Sequence, residues 1–177
     1  MLAVAAIAVL VIGATVIFAA LRGGGVDRIV LAANILHRFK TEIIGTAPSF
    51  YARIGKYPGH LSDLTNRIST SDVDSCGDPY RANPDVNTWR GPYHLIPFNP
   101  AVGYTLSSGI VAQDATIRTT FTNGALALAI VMIDVPVADA QALKGKVDGT
   151  TGDTISFTPS GNSPLTVHYR MPITAAC

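Results

Sequence analysis

The first twenty-one residues, MLAVAAIAVLVIGATVIFAAL, contain no charged side chain. A helix of that length reaches roughly 31 Å, at about 1.5 Å per residue, which is close to the thickness of a bilayer's hydrocarbon core. The run reads as a membrane segment, with Leu2, Val4, Ile7, Val11, Val16 and Phe18 among its apolar side chains. From Arg22 onward the chain has ordinary soluble character, so the sequence describes one apolar stalk carrying one globular head. The positive mean hydropathy of +0.33 is largely the stalk's doing.

Once the stalk is set aside, 156 of the 177 residues remain. That is enough for one domain with a real core and too few for two comfortable ones. Charge is unevenly placed along them. Residues 22–56 carry six Lys and Arg against Asp27 and Glu42, whereas 57–177 carry seven against ten acids, giving +4 near the stalk and −3 in the head. Nucleic acid calls for a strong basic face, which such a head does not offer. The basic segment suits anionic lipid or an acidic neighbouring subunit, or it is simply the solvated face of a helix.

Two cysteines are present, Cys76 and Cys177. Two thiols this far apart, without nearby Cys or His partners, do not make a closed zinc site. A disulfide between them would close a loop of about 100 residues and pin the C-terminus, contributing up to roughly 4.7 kcal/mol on the chain-entropy model. The competing reading is two unrelated free thiols. A disulfide implies an oxidising compartment and a head outside the cytoplasm. The flanking charges point the other way: Arg22 and Arg28 follow the apolar run and nothing basic precedes it, which by the positive-inside rule places the head inside.

Gly23, Gly24 and Gly25 interrupt the helix at the membrane edge, and at about 1 kcal/mol each relative to Ala they predict a hinge or melted turn. The helix resumes from Val26 to Ile44, where Ile29, Ala32, Ala33, Leu36, Phe39 and Ile43 recur at the spacing of one buried stripe. Arg28, His37, Arg38, Lys40 and Glu42 lie largely off that stripe. Gly45 and Pro48 mark a break, SFYARIG makes a further partial turn, and Lys56-Tyr57-Pro58-Gly59 stops it. A short helix is expected over Leu61 to Ile68, then a long ordered loop from Ser69 to Trp89 tied down by Cys76. The remainder is mostly strand: GPYHLIPF, GYTLSSGIVA, TIRTTFT, GALALAIVMIDV, DTISFT and LTVHYRM are separated by turn chemistry. ALALAIVMI, apolar throughout, suits a central strand covered on both faces, and a short helix over Ala138 to Lys144 interrupts the strands. Helix and strands are segregated, which predicts an α+β fold: a long N-terminal helix, half membrane and half amphipathic, packed on an antiparallel β-sheet. The expected divisions are 1–22, 23–48 and a head over 49–177.

Three motifs in order, YARIGKYPGHLSDL over 51–64, WRGPYHL over 89–95 and VADAQALKGKVD over 137–148 followed by Gly149, resemble the type IV pilin and pseudopilin superfamily, more closely its type II secretion-like branch. The resemblance runs over the whole chain and includes the apolar helix that leads into an amphipathic one. It marks Tyr57, Pro58, Leu61 and Leu64 as the stretch leaving the long helix, and Trp89, Gly91, Pro92 and Tyr93 as the turn entering the sheet. It implies a subunit held in the inner membrane with its head in the periplasm, then assembled into a pilus-like or secretion pseudopilus filament. The implied partners are other pilin-like subunits, an inner-membrane assembly platform and, where a leader precedes Met1, a prepilin peptidase. Members of the family begin with a basic leader ending in Gly and then a Phe-Thr-Leu-Ile-Glu type of sequence. This chain opens on Met-Leu-Ala-Val-Ala, the part that commonly follows that glutamate. Met1 is therefore expected to be an internal methionine or a cut end, which would also remove the conflict over orientation. The alternative from another class is a single-pass anchored module whose extracytoplasmic head binds or senses and never polymerises.

Other chemistry is poorly supported by the residues. Tyr57 and Pro58 suit a turn packed beneath the helix better than a partner contact, and Trp89, Pro92 and Tyr93 suit a core corner better than a ligand-binding cluster. Asp148-Gly149-Thr150-Thr151-Gly152-Asp153 offers carboxylates and carbonyls, and some pseudopilin heads hold calcium in a comparable loop. Calcium wants six to eight oxygens, often with a bidentate Glu, and the only Glu is Glu42, so a hairpin turn is the simpler reading and no cofactor is expected. His37, His60, His94 and His168 are scattered and no Gly-x-Ser-x-Gly elbow is present, so a hydrolase is disfavoured. No phosphate-binding Gly loop follows a strand.

Overall fold

The computed structural model describes residues 25–46, 48–158, 163–174 and 177. Helix α1, Gly25–Ile44, carries the stripe expected of it: Ile29, Ala32, Ala33, Leu36, Phe39 and Ile43 are all buried. Asp27, Leu31, Asn34, His37, Arg38 and Thr41 stay exposed on the opposite side. Gly25 is the first residue of this helix; the rest of the glycine hinge, Gly23 and Gly24, and the whole apolar run of 1–21 lie outside the described residues. Among the described residues no helix is long and apolar enough to cross a membrane.

The sheet is antiparallel, with five strands in the order β1-β2-β3-β5-β4: β1 Tyr104–Ser107, β2 Ile110–Thr120, β3 Leu126–Val135, β4 Ile155–Ser156 and β5 Leu165–Pro172. The fold is α+β, with the helical elements and the sheet largely segregated along the chain. The apolar ALALAIVMI run lies in β3, at the centre. Its side chains alternate, and Leu128, Ile130 and Met132 join the stripe of α1 in the main core. Ala127, Ala129 and Val131 face the other way and are also buried, while Ile133 on that side is 39% exposed. Arg170, paired in register with Ala129, reaches Thr120 O at 2.9 Å and lies over the Phe121 ring, so small residues leave room for a long side chain on the sheet. The second face is thus covered by side chains at one end and open at the other.

Several expected boundaries are corrected. GPYHLIPF forms no strand: the amides of Tyr93 and His94 both donate to Leu64 O, and Pro92 and Pro97 lack the N–H groups a ladder would need. GYTLSSGIVA is two strands, turned at Gly109, and its second half runs on into TIRTTFT as the single strand β2, with a register shift between Ala112 and Thr116 where a turn between the two runs was expected. DTISFT contributes only Ile155–Ser156. The helix after Pro58 is a single 3-10 turn, Leu61–Leu64, and the late helix α3 is longer than expected, Val137–Asp148. The Ser69–Trp89 loop is irregular as expected, apart from a helical turn at Ala82–Val86.

Candidate functional site

The two aromatic motifs meet in one corner beside the C-terminal end of α1. Ser49 caps helix α2, Phe50–Ile54, accepting from Ala52 N at 3.2 Å, and Gly55 ends it at φ 75°, a left-handed conformation that glycine adopts without a steric penalty. The reversal lays Tyr57 on Tyr51, with ring centroids 4.3 Å apart. The Tyr57 hydroxyl accepts from Thr174 N at 3.1 Å, and the Arg118 guanidinium stands 5.7 Å from the Tyr57 ring. Pro58 O accepts from the Thr116 hydroxyl at 2.6 Å, while Leu61 and Leu64 are wholly buried. Leu64 O then takes the Tyr93 amide at 2.6 Å, and Trp89 Nε1 donates to Asp63 O at 3.0 Å. Gly91 lies under the indole: a Cβ there would stand 2.3 Å from Trp89 Cζ2. Pro92 is exposed, and Tyr93 packs edge-on against Trp89 and Phe50. These residues therefore dock one loop onto another.

Cys76 and Cys177 are bonded to each other, Cα to Cα 5.5 Å, across 101 residues. Beside the bridge, Lys56 Nζ stands 3.0 Å from Asp74 Oδ2, and Asp74 Oδ1 accepts from Cys76 N at 2.8 Å and Asp78 N at 3.1 Å. One lysine and one aspartate thus organise the loop that receives the C-terminus.

Sequence reasoning missed two polar ties that fasten α1 to the head. Glu42 meets the buried His94 through Nδ1. Phe39 stacks on the same imidazole at 4.0 Å. At the other end, Arg28 Nη2 donates to the buried Asp139 at 2.6 Å. Helical spacing contained the clue, since Glu42 follows Phe39 by three residues and Arg28 precedes Ala32 by four, which puts both beside the stripe.

Asp63 is the most perturbed acid. Burial pushes its carboxyl up to about 6, although the His60 amide and the Tyr80 hydroxyl, at 3.2 and 3.0 Å, pull it down. The Tyr80 phenol is pushed above its ordinary range by the same burial and by Asp63. Burial likewise lowers His168, helped by Arg170.

The residues 148–153 connect α3 to β4 and do not form the hairpin expected of them. Asp148 accepts from Lys144 Nζ, Thr154 N and Ile155 N at 3.1, 2.9 and 2.8 Å. Asp153 accepts from Thr122 N and Oγ1, both at 2.6 Å, which with Arg170 holds its carboxyl below the usual range. Calcium would compete with these protein donors. Among the described residues no group of three or more His, Cys, Asp or Glu is arranged to hold a metal ion. His37, His60, His94 and His168 stand on four separate segments. The chain matches no family model, no curated protein and no solved structure.

Proposed function

We propose that this chain is a structural subunit of a type IV pilus-like or type II secretion pseudopilus filament, held in the inner membrane by its apolar N-terminal run before assembly. The observation that carries the reading is α1. Its apolar stripe is buried against the head, Asp27, Leu31, Asn34, His37 and Thr41 face outward, and the uncharged run of 1–21 precedes it, separated only by Arg22, Gly23 and Gly24. Such a molecule is a rigid head on an apolar shaft. The shaft partitions into lipid or into a bundle of like shafts, and transfer between the two is nearly even, whereas exposure to water costs about 1.5 to 3 kcal/mol for each large apolar side chain. Its partners are other subunits of the same kind and an inner-membrane assembly platform, with a prepilin peptidase acting on any leader. The bonded cysteines fit a head that matures in the periplasm. The proposed role is physical.

The test is electron microscopy of material sheared from the cell surface, with mass spectrometry of any filaments. The reading predicts this chain within the filaments, two mass units lighter than its reduced form. Its presence only in membrane fractions, with no filament under any growth condition, would favour an anchored binding module instead.

A further inference from the structure

Strand β4 is only two residues long, and its ladder with β5 ends where Ser156 lies opposite His168. Strand β5 begins earlier in that ladder, at Leu165, so its first three residues have no partner in β4. A cleft of about 430 Å³ opens between the two segments, with Ser156, Phe157 and Thr158 on one side and Pro164, Thr166 and His168 on the other. His168 is in register with Val131 of β3, and Thr166, two residues before it, shares its side of the strand. Both therefore belong to the face of the sheet turned away from α1.

The hydroxyls of Ser156, Thr158 and Thr166 and the imidazole of His168 have no hydrogen-bond partner among the described residues. Each hydroxyl can donate once and accept through two lone pairs. Burial, helped by Arg170, holds His168 below the ordinary histidine range, so at neutral pH its ring offers one donor and one acceptor. No Asp, Glu, Lys or Arg lines the cleft. Arg170, two residues along β5 from His168, is already bonded to Thr120 O and Asp153 O. Apolar surface is supplied by the exposed Pro164 and by Phe157, half-buried against the core. An anion would find no cation here and an ammonium no carboxylate, while a purely apolar ligand would leave the hydroxyls unpaired. The volume lies within the range of about 300 to 1,000 Å³ typical of small-molecule clefts, which also combine apolar walls with a few placed polar groups.

We infer that this cleft binds a neutral saccharide, whose hydroxyls exchange hydrogen bonds with Ser156, Thr158, Thr166 and His168 while the C–H face of a sugar ring lies against Phe157 and Pro164. The site belongs to a single head and does not depend on assembly into filaments.

The test uses the full chain solubilised in a detergent without a sugar headgroup. The probes are maltotriose, cellotriose and triacetylchitotriose, with the anionic sialyllactose as control. Saturation-transfer NMR and calorimetry are expected to show at least one neutral probe binding with a Kd below about 10 mM, and tighter than the control. Thr166→Val and Ser156→Ala each delete one hydroxyl and are expected to weaken that probe about two- to tenfold, with the disulfide and the tryptophan emission unchanged. Thr166→Ser keeps the hydroxyl and is expected to bind as the unmodified chain does. Failure of all three neutral probes to bind, unchanged affinity in the Val and Ala variants, or a preference for sialyllactose would overturn the saccharide site and leave the filament reading standing.

Discussion

Gly91 shows how one residue can set a corner. The Trp89 ring occupies the space where a Cβ would stand, so Gly91→Ala must displace the indole. Overpacking of this kind costs about 1 to 3 kcal/mol, and because Trp89 is the only tryptophan, a shifted emission maximum together with an earlier urea midpoint would report it. Asp63 makes a different prediction. Its folded pKa, about 6, lies above the ordinary 3.8, so folding takes up a proton between those values. The stabilising contribution is complete below about pH 4 and is lost as pH rises through about 6, by about 3 kcal/mol at roughly 1.4 kcal/mol per pH unit. Urea titrations of the detergent-solubilised chain should show that Asp63→Asn removes this part of the slope. The Trp-x-Gly-Pro-Tyr spacing identified the corner in the sequence, but not what it docks on. The hydrogen bonds of Trp89 to Asp63 O and of Tyr93 to Leu64 O join segments some 26 to 29 residues apart, which local patterning does not encode.

Among the elements, α1 was the most legible. A period of three and four residues named all six positions found buried among its described side chains, because one helix face against one core leaves a regular trace. Leu36→Ala is expected to cost about 2 to 5 kcal/mol, whereas Leu31→Ala, half exposed on the far face, should stay within about 0.5 kcal/mol; paired denaturation curves would separate them. Glu42 and Arg28 escaped the same pattern because their polar ends are tied to His94 and Asp139, residues 52 and 111 positions away. The strands were legible where alternation or a long apolar run was strong, as in β3 and β5. They were misjudged where proline or tertiary hydrogen bonding decided the outcome: 91–98 has strand-like residues but gives its amides to Leu64. The 148–153 turn, read as a hairpin, was misjudged because Asp148 closes a helix, accepting from Lys144 within α3 and from Thr154 and Ile155 beyond it.

For the molecule as a whole, the disulfide is the covalent long-range constraint, tying Cys177 to the Ser69–Trp89 loop beside Lys56 and Asp74. Replacing both Cys76 and Cys177 with Ser is expected to lower stability by about 2 to 5 kcal/mol and to expose the C-terminal segment to carboxypeptidase. This pairing could be read from the sequence because two cysteines allow a single intramolecular bridge. On the proposed function, the apolar run is first a membrane anchor and then a filament shaft. Pulse-labelling of the full chain, followed by fractionation over time, tests it most directly. Label is expected first in the detergent-extractable inner membrane and then in shearable filaments, without proteolysis of the head. Label that stays in the membrane throughout the chase, in cells that are assembling filaments, would contradict it.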